Sequence, residues 1–170
     1  MAVARTNLLI ASTAVKDDKM TIKKCYFSIN ESGIKANLDL LKVAIYSCAE
    51  YAKLHPVLLY AGDPVPELDQ LRFLGAEIIH HTITFENDLA IGYGDNYKKF
   101  LGHWLRVDIP LIESHDEYVV YADCDILFRQ APNVDALPFY LSAAPEFSKN
   151  NWSYFNSGSM IINIPNMRDI

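Results

Sequence analysis

Two carboxylates one residue apart, Asp123 and Asp125, follow the apolar run Tyr118-Val119-Val120-Tyr121-Ala122. The stretch 118–128 reads as a buried β-strand that ends in these acids. Strands covered on both faces are near-continuously apolar in α/β proteins. Charge at the end of such a strand is costly unless paired or metal-bound. On an extended strand, side chains i and i+2 share a face, so both carboxylates can reach one ion. Oxygen ligands of this kind suit a hard divalent cation, Mg²⁺ or Mn²⁺, and such a cation can neutralise a diphosphate. The plainer alternative is a solvated strand end with two capping carboxylates, because a bare Asp-x-Asp is common.

Other reactive residue types point less sharply. His80 and His81 are adjacent at a strand end, where neighbouring side chains face opposite ways, which counts against a ligand pair. His103 lies near Arg106 in a helical segment. Cys25, Cys48 and Cys124 are odd in number, widely spaced and set in apolar stretches. They show no zinc spacing and no disulfide framework, and read as buried free thiols. That fits a reducing compartment, and the cytoplasm is the expected location. Net charge is −6 with no basic block, so nucleic acid is not an expected partner. No apolar run reaches the length of a transmembrane segment, which leaves a soluble protein able to associate peripherally with a membrane.

Secondary-structure signals place these residues. Residues 1–22 read as a polar leader and 23–170 as one domain. Lys24–Asn30 is a strand, followed by a turn at Gly33. Leu38–Leu54 repeats apolar residues at helical spacing and stops before Pro56. Val57–Tyr60 is a second strand, closed by Gly62-Asp63-Pro64, with Asp63 read as a turn residue. Pro66–Leu74 is a short helix ended by Gly75, and Ala76–His80 a third strand. This alternation implies a parallel α/β sheet with right-handed crossovers. Residues 82–98 break the pattern, with a loop expected at Gly92–Asn96, and Tyr97–Ile109 returns to helix. Strands are expected again at 140–144 and 159–164, with no closing helix after the last.

Val119-Val120-Tyr121-Ala122-Asp123-Cys124-Asp125-Ile126-Leu127 resembles the metal-binding strand of glycosyltransferase family 8, the glycogenin and lipopolysaccharide-galactosyltransferase type. Tyr154-Phe155-Asn156-Ser157-Gly158-Ser159-Met160-Ile161-Ile162-Asn163 resembles the same family's Phe-Asn-(Ser/Ala)-Gly-Val strand. The two motifs occur in the family's order, and the likeness extends weakly over residues 24–168. The resemblance implies a GT-A-like α/β fold: a mostly parallel central sheet flanked by helices, with a Rossmann-like nucleotide-binding half. The family's C-terminal portion has no counterpart here, which suggests a truncated domain.

The resemblance also implies roles. Asp123 and Asp125 would bind Mn²⁺ (or Mg²⁺) bridging the diphosphate of a nucleotide-sugar, UDP-sugar favoured. Arg106, on the helix before the metal strand, would contact that diphosphate. A planar guanidinium suits paired phosphate oxygens, whereas the alternative is a surface Arg paired with Asp108 or Glu113. Asn30 would touch the nucleotide, against a simple turn-forming Asn. Asn156, Ser157 and Gly158 would line the sugar pocket, and Glu146 would meet the donor sugar or the acceptor. The family's third protein ligand, a His in a C-terminal His-x-x-Gly motif, has no match. The implied reaction is sugar transfer to a saccharide or other hydroxyl acceptor with retained anomeric configuration; no nucleophile can be assigned. Two other readings stand beside it: a truncated or non-catalytic nucleotide-sugar-binding protein, and a haloacid-dehalogenase-type phosphohydrolase. The latter normally carries its Asp-x-Asp on the first strand.

Overall fold

A computed structural model of the chain describes residues 22–146, 150 and 154–170. The leader expected over 1–22 lies outside the described residues apart from Ile22. The chain runs β1 (Lys24–Asn30), α1 (Glu31–Ser47), β2 (His55–Ala61), α2 (Glu67–Phe73), β3 (Glu77–His80), α3 (Glu86–Tyr93), α4 (Leu101–Trp104), α5 (Ile109–Ile112), β4 (Tyr118–Ala122), β5 (Leu141–Pro145), β6 (Phe155–Asn163) and α6 (Ile164–Arg168). Short 3₁₀ segments at Gly94–Lys99 and Leu105–Asp108 join α3, α4 and α5 into one irregular helical stretch.

The strands form one six-stranded sheet in the order β3-β2-β1-β4-β6-β5. β3, β2, β1 and β4 are mutually parallel, whereas β6 runs antiparallel to both β4 and β5. The sheet is therefore mostly parallel, as expected, with one reversed strand that hydropathy could not signal. Period-two alternation sends β1 side chains to two cores. Cys25, Phe27 and Ile29 pack under α1 and α2 with Leu58, Tyr60 and Val120. Tyr26 packs on the opposite face with Val57, Leu59, Val119, Tyr121, Leu105 and Ile109.

Several boundaries depart from expectation. α1 starts at Glu31 rather than Leu38, because the Asn30 side chain accepts from Gly33 N (2.9 Å) and caps the helix. Asn37 is non-helical (φ −122°) and kinks it, which hides the early turns from a periodicity reading. The stretch expected as a loop at Gly92–Asn96 is α3 running into 3₁₀ turns. Buried Leu89, a Tyr97 hydroxyl donating to Glu86 Oε1 (3.0 Å) and the Tyr93–Phe100 ring contact (4.6 Å) hold it. β4 ends at Ala122, so Asp123 and Asp125 sit in the turn beyond it, not on the strand. A short helix, α6, follows β6 where none was expected.

Candidate functional site

In this strand order the chain leaves β1 in opposite directions, towards β2 on one side and β4 on the other. Ligands of open α/β sheets lie at the carboxyl ends of strands at such a reversal. Asn30 closes β1 there, and Asp123 follows β4. A cleft of about 300 Å³ opens between them, and both Asp123 and Asp125 line it with Asn30, Ser28 and His103.

Asp123 is held from several directions. Its backbone N–H donates to Gly158 O (2.7 Å), carrying the β4–β6 pairing one residue past the strand. Its Oδ1 accepts from the Tyr121 hydroxyl (2.7 Å) and from Arg106 Nη1 (3.3 Å). Its Oδ2 faces Gly158, where a Cβ would stand only 2.8 Å away, so glycine leaves that side of the carboxylate open. Asp125 is exposed and has no ion pair among the described residues. Between the two acids, Cys124 turns inward, its thiol donating to Ser28 O (3.6 Å). Burial, with Asp123 and Asp125 adding to it and Arg106 opposing, pushes that thiol up to about 12.

Arg106 forms neither of the surface pairs that would have made it incidental. Asp108 is engaged by His81 and Thr84, and Glu113 by Lys24 and Tyr26. Arg106 instead lies over the Tyr121 ring (4.9 Å) and donates through Nη1 to Ser157 O (2.8 Å), Ser157 Oγ (3.1 Å) and Asp123, while Nε donates to His103 O (2.6 Å). Nη2 has no protein partner among the described residues. The guanidinium is thus fixed in a plane with one edge unused.

The remaining expected residues are placed less uniformly. Ser157 and Gly158 join the cluster. Asn156 serves it indirectly, accepting from Gly158 N (2.8 Å). Asn30 borders the cleft, but its amide is committed to structure, capping α1 and donating to Lys98 O (2.7 Å). Glu146 lies just beyond β5 at the same edge of the sheet, exposed, and no hydrogen bond or ion pair joins its side chain to the Arg106–Asp123 group. Lys98 and Lys99 are exposed, and Asp63 lies in a bend, as their residue types suggested.

Sequence reasoning missed Tyr121, Ser28 and Gly102. The Tyr121 proton is directed to Asp123, so Ser28 Oγ (3.0 Å) donates to the phenol oxygen, giving a buried chain Ser28–Tyr121–Asp123. Burial drives the Tyr121 phenol far above its ordinary range, Arg106 pulling it down and Asp123 raising it again, so it stays a donor. The available signal was a serine and a tyrosine inside strands otherwise apolar. Gly102 lets α4 press on the end of β1: a Cβ there would lie 2.7 Å from Asn30 N.

Asp123 Oδ2 and the unpaired Asp125 carboxylate are two acidic donors at one cleft, which fits part of a divalent-cation shell. Among the described residues no group of three His, Cys, Asp or Glu side chains gathers to complete it.

No family model and no curated protein matches the chain. Solved structures do. The fold is similar to that of the apo-form glycosyltransferase GlyE of Streptococcus pneumoniae TIGR4, at 20% identity over 85% of this chain and 34% of that one (TM-score 0.54). It is similar to the galactosyltransferase LgtC solved with donor and acceptor sugar analogues, at 16% identity over 86% of this chain and 60% of that one (TM-score 0.63). It also matches the bifunctional glycosyltransferase WbbM, at 12% identity over 88% of this chain and 32% of that one (TM-score 0.53). The fold is therefore GT-A-like, an architecture shared with these glycosyltransferases. The chain spans less than two thirds of the length of each of them.

Proposed function

We propose that the chain binds a nucleotide-diphospho-sugar, UDP-sugar favoured, and transfers its sugar to a hydroxyl of a saccharide or other acceptor, with retained anomeric configuration. One observation carries this reading: an acid, Asp123, and a fixed guanidinium, Arg106, stand side by side at the reversal point of a GT-A-like sheet, with glycine holding the acid's second oxygen clear. In this reading Asp123 Oδ2 and Asp125 hold Mn²⁺ (or Mg²⁺), which when bound offsets charge on the leaving diphosphate. Arg106 offers its unused Nη2 edge to a diphosphate oxygen. Tyr121 and Ser157 keep Asp123 and Arg106 oriented before any ligand arrives, the form of electrostatic stabilisation that costs no reorganisation. Ser157, Gly158 and Asn156 border the sugar, and Glu146 is the candidate for a sugar or acceptor hydroxyl.

The test is a Mn²⁺-dependent screen of nucleotide-sugars for binding and sugar release, with Asp123→Ala and Asp125→Ala alongside. Loss of metal-dependent binding by at least tenfold in each variant is expected. Variants indistinguishable from the parent, or no metal-dependent nucleotide binding at all, would sink the proposal. That no third acidic or His ligand joins the pair among the described residues favours a second reading, binding without turnover. Titration calorimetry with UDP and Mn²⁺ beside a turnover assay separates the two. A phosphohydrolase is disfavoured by the acids following the fourth strand, not the first; little phosphate release from simple monoesters with Mg²⁺ is expected. We place the activity in the cytoplasm, where the three free cysteines stay reduced. No helix among the described residues is long and apolar enough to cross a membrane.

A further inference from the structure

We infer that His81, fixed by the buried carboxylate of Asp108, reads the nucleobase of the donor; the inference rests on the nucleotide-sugar reading above. Asp108 is 1% exposed. Its Oδ2 lies 2.7 Å from His81 Nε2 and accepts from Thr84 N (2.8 Å), while its Oδ1 accepts from Thr84 Oγ1 (2.8 Å). In the neutral imidazole this puts the proton on Nε2 and leaves Nδ1 with a bare lone pair. Nδ1 has no protein partner among the described residues, and it is not among their buried unpartnered atoms, so solvent reaches it. A histidine oriented this firmly by a buried acid, with its second nitrogen unused, is arranged for a ligand.

The place agrees. His81 lines a cavity of about 540 Å³ at the carboxyl ends of β1, β2 and β3, and this cavity shares Asn30 and Ser32 with the cleft of the two acids. From β4 to β3 is three strand spacings, about 14 Å. A nucleoside diphosphate laid from the acids across β1 puts its base in this second cavity. Charge selects the same end of the ligand. Glu31, Asp63 and Glu86 border the cavity against two lysines, Lys98 and Lys35, the latter already paired with Glu31 (2.7 Å), so acids are in excess by one. Carboxylates disfavour a phosphate but accept N–H groups, as does His81 Nδ1. The chemical partner is a nucleobase N–H, an imide or an exocyclic amine.

The test measures Mn²⁺-dependent binding of UDP, GDP, CDP, ADP and inorganic pyrophosphate to the full chain, and to His81→Ala and His81→Lys. Lys retains a donor for Asp108 and has no acceptor, so it removes the Nδ1 function and keeps the fold if Ala does not. The parent is expected to prefer one nucleoside diphosphate. In both variants that preference over the weakest falls about tenfold, as for loss of one hydrogen bond, while pyrophosphate affinity stays unchanged. Unaltered ratios in a folded His81→Lys or His81→Ala chain, or equal loss for every ligand including pyrophosphate, overturn the role of His81 and leave the transferase reading standing. Absence of metal-dependent binding to the parent overturns both.

Discussion

Tyr121→Phe removes one oxygen from the centre of the site and little else, so its cost can be worked out from the structure. The phenol donates to Asp123 Oδ1 at 2.7 Å and accepts from Ser28 Oγ at 3.0 Å. A hydrogen bond to an ionised acceptor contributes about 1.5–3 kcal/mol. The Asp123 side chain is 41% exposed, so water recovers part of this and the lower figure, about 1.5 kcal/mol, applies. Ser28 is 7% exposed and loses its side-chain partner, which adds about 1 kcal/mol. The expected destabilisation is about 2–3 kcal/mol, or roughly 5–10 °C in Tm for a chain of this length. Adding Ser28→Ala removes the orphaned hydroxyl and is expected to return about 1 kcal/mol. Urea unfolding of the parent, both single variants and the double variant at neutral pH, followed by tryptophan fluorescence, closes the cycle. A Tyr121→Phe cost below about 0.5 kcal/mol, or a double variant less stable than Tyr121→Phe alone, refutes the buried chain as described.

Gly158→Ala places a Cβ 2.8 Å from Asp123 Oδ2, while Oδ1 is tied to Tyr121 and Arg106 and cannot swing away freely. A stability loss of about 1–3 kcal/mol is expected, together with weaker Mn²⁺-dependent UDP binding in calorimetry. At the opposite end of β1, burial pushes Glu113 up, but hydrogen bonds from Lys24, the backbone N–H groups of His115 and Asp116, and Tyr26 more than offset it, leaving the carboxyl at about 2, below its ordinary 4.5. A depressed carboxylate contributes stability that is full above the unfolded value and lost as pH falls through the folded one. Acid unfolding of the parent should therefore steepen between pH 4.5 and 2, and Glu113→Gln should flatten that limb while lowering stability at neutral pH.

The acids stood out as a polar break in an apolar run, whereas Arg106 and Asn156-Ser157-Gly158 entered through the family resemblance; Asp123, Arg106, Ser157 and Gly158 do come together in the fold. Their mutual contacts were not legible, since these depend on register between distant strands. Ser28 meets Tyr121 because β1 and β4 align Tyr26 with Tyr121, which makes Ser28 a diagonal neighbour. The reversal of β6 is likewise invisible to hydropathy, although it alone brings Ser157 and Gly158 to Asp123. Placing the acids on the strand was wrong, by one residue for Asp123, because β4 ends at Ala122. What aims Asp123 is a set of hydrogen bonds and the inward turn of Cys124, not the pleat. The early start of α1 was missed because Gly33 and Asn37, poor helix residues, occupy its first turns.

The reversed strand has a kinetic consequence. β3, β2, β1 and β4 form a contiguous parallel block, and β6 with β5 closes its edge, with a register irregularity between Ala143 and Ala144. If that edge pair detaches, the core under α1 and α2 stays nearly whole, whereas the core on the Tyr26 face loses Met160 and Ile162, Arg106 loses Ser157 and Asp123 loses Gly158. Such partial openings generally cost less than global unfolding. The Asp123 amide, bonded to Gly158 O at 2.7 Å, is the sentinel for this opening. Its hydrogen exchange should outpace that of the β1 amides, and a ligand spanning both strands should slow it first.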